Sequence, residues 1–173
     1  MKPGFVKQER IYPHPRARVW KAITDRELLG RWLMPSDFEA RLGHRFTFRT
    51  EPGPGFDGVI HCEVLELDEP SRMVWSWKGG PLDTRVTFTL EEVDEGRSTR
   101  LLMLHEGFRG LKARLVQRIL SLGSRTLYGE RLPQLLEELA RGEDPQEQRD
   151  VACMEKEQGV LVRLLSLFER KQR

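Results

Sequence analysis

"RMVWSWKGGPLDTRVTFTLEE", residues 72–92, alternates apolar and polar side chains on both sides of a turn. In its first half Met73, Trp75 and Trp77 fall on one face, with Arg72, Ser76 and Lys78 on the other. In its second half Val86, Phe88 and Leu90 oppose Arg85, Thr87 and Thr89. A period of two marks a half-buried strand, because successive side chains leave a pleated strand on opposite sides. The stretch Lys78 to Asp83, rich in glycine and proline, supplies the turn, so the two runs read as antiparallel neighbours. A sheet of this kind is apolar on one side and must bury that side against something.

Upstream, RFTFR (45–49) alternates Phe46 and Phe48 with Arg45, Thr47 and Arg49. EPGPGFDG (51–58) is turn chemistry, and VIHCEVLELD (59–68) is a longer strand of mixed alternation with room for a bulge. Downstream, TRLLMLHE (99–106) reads as the last strand, after which Gly107 frees the backbone to turn into a helical region. At the start of the chain FVKQERIY (5–12) is a strand stopped by Pro13 and Pro15. A helix follows from about Pro15 on the apolar face of Val19, Trp20 and Ile23. Thr24 and Glu27 fit a capping box that opens a second short helix, from Asp25 to about Trp32, which Pro35 ends. Beyond Gly107, Leu111, Leu115 and Ile119 share one helical face and Leu132, Leu135, Leu136 and Leu139 another. Gly123, Gly129 and Pro133 predict a break or kink between the two halves, and Gly142 an end.

The order predicts an α+β fold: a curved antiparallel sheet of about six to seven strands wrapped around a long late helix, with two short helices after the first strand. Residues 1–142 form that domain. Residues 143–173 follow as a polar linker and an amphipathic helix carrying Leu161, Leu164, Leu165 and Phe168. A length of 173 residues suits one such domain with a real core. With 38% hydrophobic and 32% charged residues the balance is that of a globular chain, not of a disordered or membrane one. No apolar run is long enough to span a bilayer, and MKPGFVKQER lacks the core of a signal peptide, so the expected compartment is the cytoplasm. Cys62 and Cys153 make no disulfide framework. The 29 Lys plus Arg against 27 Asp plus Glu give no general case for a nucleic-acid partner. One local stripe, Arg109, Lys112, Arg114, Arg118, Arg125 and Arg131, is opposed only by Glu130. It reads either as a solvated helix face or as a site for an anionic partner.

The segments HPRARVWKAITDRELLGRWLMP, GHRFTFR, DGVIHCEVLELDEPSRMVWSW, VTFTLEE and LLMLHEGF follow one another in an order that resembles a known family. That family is the branch of the START-like (SRPBCC) superfamily that holds the activators of heat-shock-protein ATPase and polyketide cyclases. The resemblance spans roughly residues 5–140. It implies a helix-grip fold with a deep pocket for an apolar small molecule. The tail after Gly142 departs from the family pattern.

Trp75, Trp77, Phe88, Phe46 and Phe48 are expected on the concave face with Met103, and Trp32, Met34 and Phe38 near its mouth. Tryptophan suits a pocket wall because its N–H needs a partner; the bland alternative is plain core. His105 and Glu106 are adjacent in a strand and so point to opposite faces, which leaves His105 alone as a polar pocket residue and the one candidate for catalysis. The bland alternative for it is a hydrogen-bonded structural histidine at the sheet rim. Arg49 is a second candidate orienting group. Glu63 and Glu66 take a face that depends on the register of their strand. His44, His61, Cys62 and His105 show no metal-ligand spacing, and no phosphate loop or nucleophile elbow occurs, so no metal and no cofactor are expected. The leading reading is binding of an apolar or aromatic small molecule, without nucleic acid or membrane as partner. The rivals are a cyclase- or hydrolase-like enzyme using His105, and a chaperone-ATPase-activating interaction module. The amphipathic tail is also suited to sealing a homodimer.

Overall fold

The computed structural model describes residues 4–53 and 55–142; the predicted linker and C-terminal helix lie outside the described residues. Strand β1 (Gly4–Tyr12) leads into helices α1 (Arg16–Thr24) and α2 (Arg26–Trp32). A meander follows: β2 (Arg45–Arg49), β3 (Val59–Asp68), β4 (Arg72–Gly79), β5 (Leu82–Val93) and β6 (Ser98–Phe108). The chain closes on α3 (Leu111–Thr126), a π-helical turn (Leu127–Arg131) and α4 (Leu132–Arg141). The six strands run in the order β1-β6-β5-β4-β3-β2, every neighbour antiparallel, in an open sheet with β1 and β2 at its edges. This is the α+β helix-grip arrangement that the element order predicts.

Apolar alternation decides which side is buried. Phe46, Phe48, Ile60, Cys62, Val64, Met73, Trp75, Trp77, Val86, Phe88, Leu101 and Met103 all lie in one core on the helix side of the sheet. In β3 the register shifts between Val64 and Glu66, so the predicted bulge falls at Leu65. Glu63 faces outward by simple alternation between the buried Cys62 and Val64, and the bulge turns Glu66 outward as well; they pair with Arg45 at 3.2 Å and Arg72 at 3.0 Å. Neither carboxylate faces the core.

The helices differ from the sequence reading in three places. Helix α2 is capped by Asp25, whose carboxylate accepts from the N–H groups of Glu27 at 2.9 Å and Leu28 at 3.1 Å. Thr24, expected to be the cap, is the last residue of α1 and donates its hydroxyl to the Trp20 carbonyl. The predicted face of α3 is also rotated. Ala113 and Ile119 are buried and Val116 and Leu120 pack on the core, while Leu111 is exposed. Finally, the expected break between Gly123 and Pro133 is a π turn, which carries the helix on without interruption. Gly142 then ends α4 in the left-handed conformation, as predicted.

Candidate functional site

The inward faces of β2, β4 and β5 carry a set of aromatic rings in edge-to-face contact. Trp75 is the hub: ring centroids of Phe38, Phe46, Phe48 and Phe88 lie 5.6, 5.5, 5.9 and 4.9 Å from it. Trp77 extends the set from Phe48, at 5.3 Å, to His105, at 5.5 Å. The pleat explains the strand contributions, since Phe46 and Phe48, and Trp75 and Trp77, are two residues apart on their strands. Phe38 comes from the loop before β2 and is held by its neighbour. The Asp37 carboxylate accepts from the Thr47 backbone N–H at 2.6 Å and from its hydroxyl at 3.2 Å, so the loop is tied to β2. That backbone bond holds the Asp37 carboxyl below the ordinary aspartate range.

One polar atom in this cluster is left over. The indole Nε1 of Trp75 is buried and has no hydrogen-bond partner. A buried N–H without an acceptor costs about 1–3 kcal/mol, so such groups are rare. The contrast with Trp32 is direct, because the Trp32 N–H donates to the Ala22 carbonyl at 2.9 Å.

His105 sits across the sheet from Trp75. The register aligns Val6, His105, Val86, Trp75 and Val64 in one row, so His105 and Trp75 are two strands apart. The imidazole Nε2 lies 2.8 Å from the Thr84 hydroxyl, and that hydroxyl donates its own hydrogen to the Trp77 carbonyl at 3.0 Å. Thr84 therefore accepts from His105, which fixes the proton on Nε2 and leaves Nδ1 as an acceptor. Burial pushes the imidazole pKa down to about 3, so the ring is neutral at physiological pH. The backbone beside it is specialised. Gly107 has φ +105°, and the register of β1 and β6 slips between the pairs Gly4–Phe108 and Phe5–Glu106. This bulge turns Phe108 to the same side as His105, and their rings are 4.6 Å apart. The last strand thus runs through the LMLHEGF stretch to Phe108, past the predicted end at Glu106.

The predicted residues divide as follows. Phe38, Phe46, Phe48, Trp75, Trp77, Phe88 and His105 form one connected cluster. Met103 pairs with Phe88 on the neighbouring strand, and Met34 packs on the core while half-buried. Trp32 lies apart, its ring 5.2 Å from Tyr128 under the π turn. Arg49 is exposed at the end of β2, on the side opposite Phe48. Sequence reasoning missed Thr84, Phe108 and Phe56. Phe56, in the β2–β3 loop, is half-buried against the core, and a Cβ on Gly79 would stand 3.1 Å from its ring. The β4–β5 turn is thus shaped around that side chain. Among the described residues no three His, Cys, Asp or Glu side chains come together as metal ligands, and no helix is long and apolar enough to cross a membrane.

The chain matches the family described as Activator of Hsp90 ATPase homolog 1-like protein over residues 13–137. Protein MLL2253 from Mesorhizobium loti is 32% identical, with 78% of this chain and 98% of that one covered, at a TM-score of 0.70. Protein BH1534 from Bacillus halodurans is 26% identical, with 79% and 99% covered, at a TM-score of 0.64. CalU16 from Micromonospora echinospora is alike in fold, 19% identical, with 95% and 97% covered and a TM-score of 0.60. No curated protein matches.

Proposed function

The chain belongs to the Activator of Hsp90 ATPase homolog 1-like family of the START-like superfamily, a ligand-binding fold, and on that premise we propose that it binds an uncharged, largely aromatic small molecule. The ligand lies between the inward face of β2, β4 and β5 and the helix α3. The observation that carries this reading is the Trp75 N–H, a buried donor with no acceptor in the protein. A ligand with a carbonyl, ether or phenol oxygen would supply that acceptor. The surrounding rings of Phe38, Phe46, Phe48 and Phe88 would take its apolar body. His105 adds a second, weaker anchor through Nδ1.

The same cluster argues for a neutral ligand. Arg49 points away from it, Glu63 and Glu66 face solvent, and the imidazole is uncharged, so nothing among these groups would offset the cost of burying a ligand charge. A histidine whose conjugate acid has a pKa of about 3 is also a weak base, which favours orientation over proton transfer as the role of His105.

Native mass spectrometry of the freshly purified full chain tests this, followed by titration of the solvent-stripped, refolded protein with the neutral fluorophore N-phenylnaphthylamine. The expected result is either a co-purifying apolar species or a saturable rise in fluorescence that Trp75→Ala weakens. A bare mass together with no saturable response would overturn the reading.

A further inference from the structure

A neutral imidazole can offer a ligand either an acceptor or a donor, depending on which ring nitrogen holds its proton. At His105 that choice is made by another side chain. Thr84 lies two residues before Val86, the β5 partner of His105, and therefore on the same face of the sheet. Its hydroxyl has one hydrogen, which goes to the Trp77 carbonyl at 3.0 Å, so toward Nε2, 2.8 Å away, it is an acceptor. Trp77 and Thr84 already face each other in the β4–β5 ladder, so the sheet does not depend on this hydroxyl. What the hydroxyl adds is the protonation state of the ring.

The other nitrogen is the one left for a ligand. Among the described residues Nδ1 has no hydrogen-bond partner, and unlike the Trp75 Nε1 it is not wholly shut away from solvent. Trp77 and Phe108, with ring centroids 5.5 and 4.6 Å from the imidazole, give it apolar neighbours. The row Trp75–Val86–His105 sets the two unpaired groups two strand spacings apart, about 10 Å between backbones. They differ in sense. The Trp75 indole has only a hydrogen to give, whereas Nδ1 has only a lone pair.

We propose that Thr84 is a specificity-determining positioning residue, which holds His105 in the state that accepts a hydrogen bond from a ligand hydroxyl or N–H. The ligand class follows from that state. It is a neutral aromatic molecule with an acceptor oxygen at one end, for Trp75, and a hydroxyl or N–H at the other, for His105, joined by a body that spans about two strands. A molecule with acceptor oxygens at both ends would set one of them against the Nδ1 lone pair and bind less well. A valine in place of Thr84 would fill the same volume but leave the Nε2 hydrogen without a partner. The proton would then move to Nδ1, and the preference at that end would reverse. The inference rests on the ligand-binding reading above and names what that site selects.

Two measurements on the full chain test this, the first without any ligand. Long-range nitrogen-15 spectra of the histidine rings, with the His105 signals identified by their absence in His105→Gln, report which nitrogen is protonated. The natural chain and Thr84→Ser should show His105 protonated on Nε2, and Thr84→Val should show protonation on Nδ1. Calorimetry then compares acetylnaphthol with acetylmethylnaphthalene, which exchange one hydroxyl for one methyl group. The preference for the hydroxyl compound should be roughly 2- to 12-fold greater in the natural chain and Thr84→Ser than in Thr84→Val. A ring protonated on Nδ1 in the natural chain would overturn the proposal. So would equal weakening of both compounds in Thr84→Val, the sign of a merely structural residue. Either result leaves the ligand-binding reading standing. Binding of neither compound to the natural chain would remove that reading, and this proposal with it.

Discussion

The hydroxyl of Tyr12, on the edge strand β1, donates to the backbone carbonyl of Tyr128 at 2.7 Å, inside the π turn. In that turn the N–H of Leu132 reaches five residues back, to the carbonyl of Leu127. One step further on, the carbonyl of Tyr128 faces Pro133, which has no N–H to give. The phenol supplies the missing donor, and burial pushes its pKa well above the ordinary tyrosine value, so it keeps its proton. The proline, the wide turn and the tyrosine form one device that carries the helix past a residue that would otherwise break it.

Replacing Tyr12 by Phe strands the Tyr128 carbonyl in the core and is expected to cost about 1–2 kcal/mol in urea unfolding. In a Pro133→Ala background residue 133 regains an N–H, so the same replacement should cost less. Equal costs in the two backgrounds would mean that Tyr12 acts through packing and not through this carbonyl.

That device also marks how far the sequence could be read. The strands were legible because Phe46-Phe48, Met73-Trp75-Trp77 and Val86-Phe88-Leu90 repeat at period two, which no helix does. The disturbance at Gly123, Gly129 and Pro133 was legible too, since those residues weaken any helix. Its form was not, because the group that repairs it is 116 positions away. The face of α3 was misread for a different reason. Leu111, Leu115 and Ile119 outweigh Ala113 and Val116 in any hydrophobic count, yet Ala113 is the buried one beside the sheet and Leu111 is not. Within the cluster, Phe46, Phe48, Trp75, Trp77 and Phe88 followed from alternation alone. Phe108 did not, because its facing depends on the bulge at Gly107, and Trp32 is drawn away by the Ala22 carbonyl and Tyr128.

Gly107 should tolerate no side chain. Its φ of +105° lies where L-residues are strained, and a Cβ there would stand 3.4 Å from the Thr84 Cα. Gly107→Ala is expected to lose roughly 1–3 kcal/mol of stability. It should also shift the ring resonances of His105 and Phe108, which the bulge sets side by side. Retention of both stability and those resonances would mean that the bulge is not strained.

The depressed pKa of His105 ties stability to pH. The unfolded chain takes up a proton near the ordinary histidine value of about 6.5, whereas the folded chain resists it down to about 3. Protonation therefore favours unfolding throughout that window, at a slope of about 1.4 kcal/mol per pH unit, and the full contribution is present above it. Unfolding free energies at pH 7.0 and pH 5.0, measured for the natural chain and for His105→Phe, isolate this contribution. The natural chain should lose about 2 kcal/mol more between those conditions than the variant does. Parallel behaviour would place a charged imidazole in the folded state.

Asp37 works with the opposite sign. Its carboxyl is held low by the Thr47 N–H, so its contribution is present above the unfolded aspartate value and disappears as the pH falls through the lower folded value. The group is exposed and solvent screens it, so Asp37→Ala should cost no more than about 1 kcal/mol. The more specific effect is on Phe38, the next residue, whose ring should lose its ordered contact with Trp75. Side-chain nuclear Overhauser effects between the two rings check this, and unaltered effects in the variant would show that packing alone places Phe38.

Trp75 supplies the sharpest test of the proposed site, because donor and ring can be separated. Acetylnaphthalene and ethylnaphthalene have nearly the same shape and differ in a carbonyl oxygen. If the buried N–H receives a ligand acceptor, the natural chain should favour the ketone by about 0.5–1.5 kcal/mol, roughly 2- to 12-fold in Kd by calorimetry. Trp75→Phe keeps an aromatic ring against Phe88 and removes the donor. The ketone should then lose its advantage, while the hydrocarbon changes only by what the smaller ring costs in contact. The variant without ligand should be destabilised less than the lost ring area implies, because a buried donor without a partner goes with it. A ketone preference that survives in Trp75→Phe would move the acceptor-binding role to another donor.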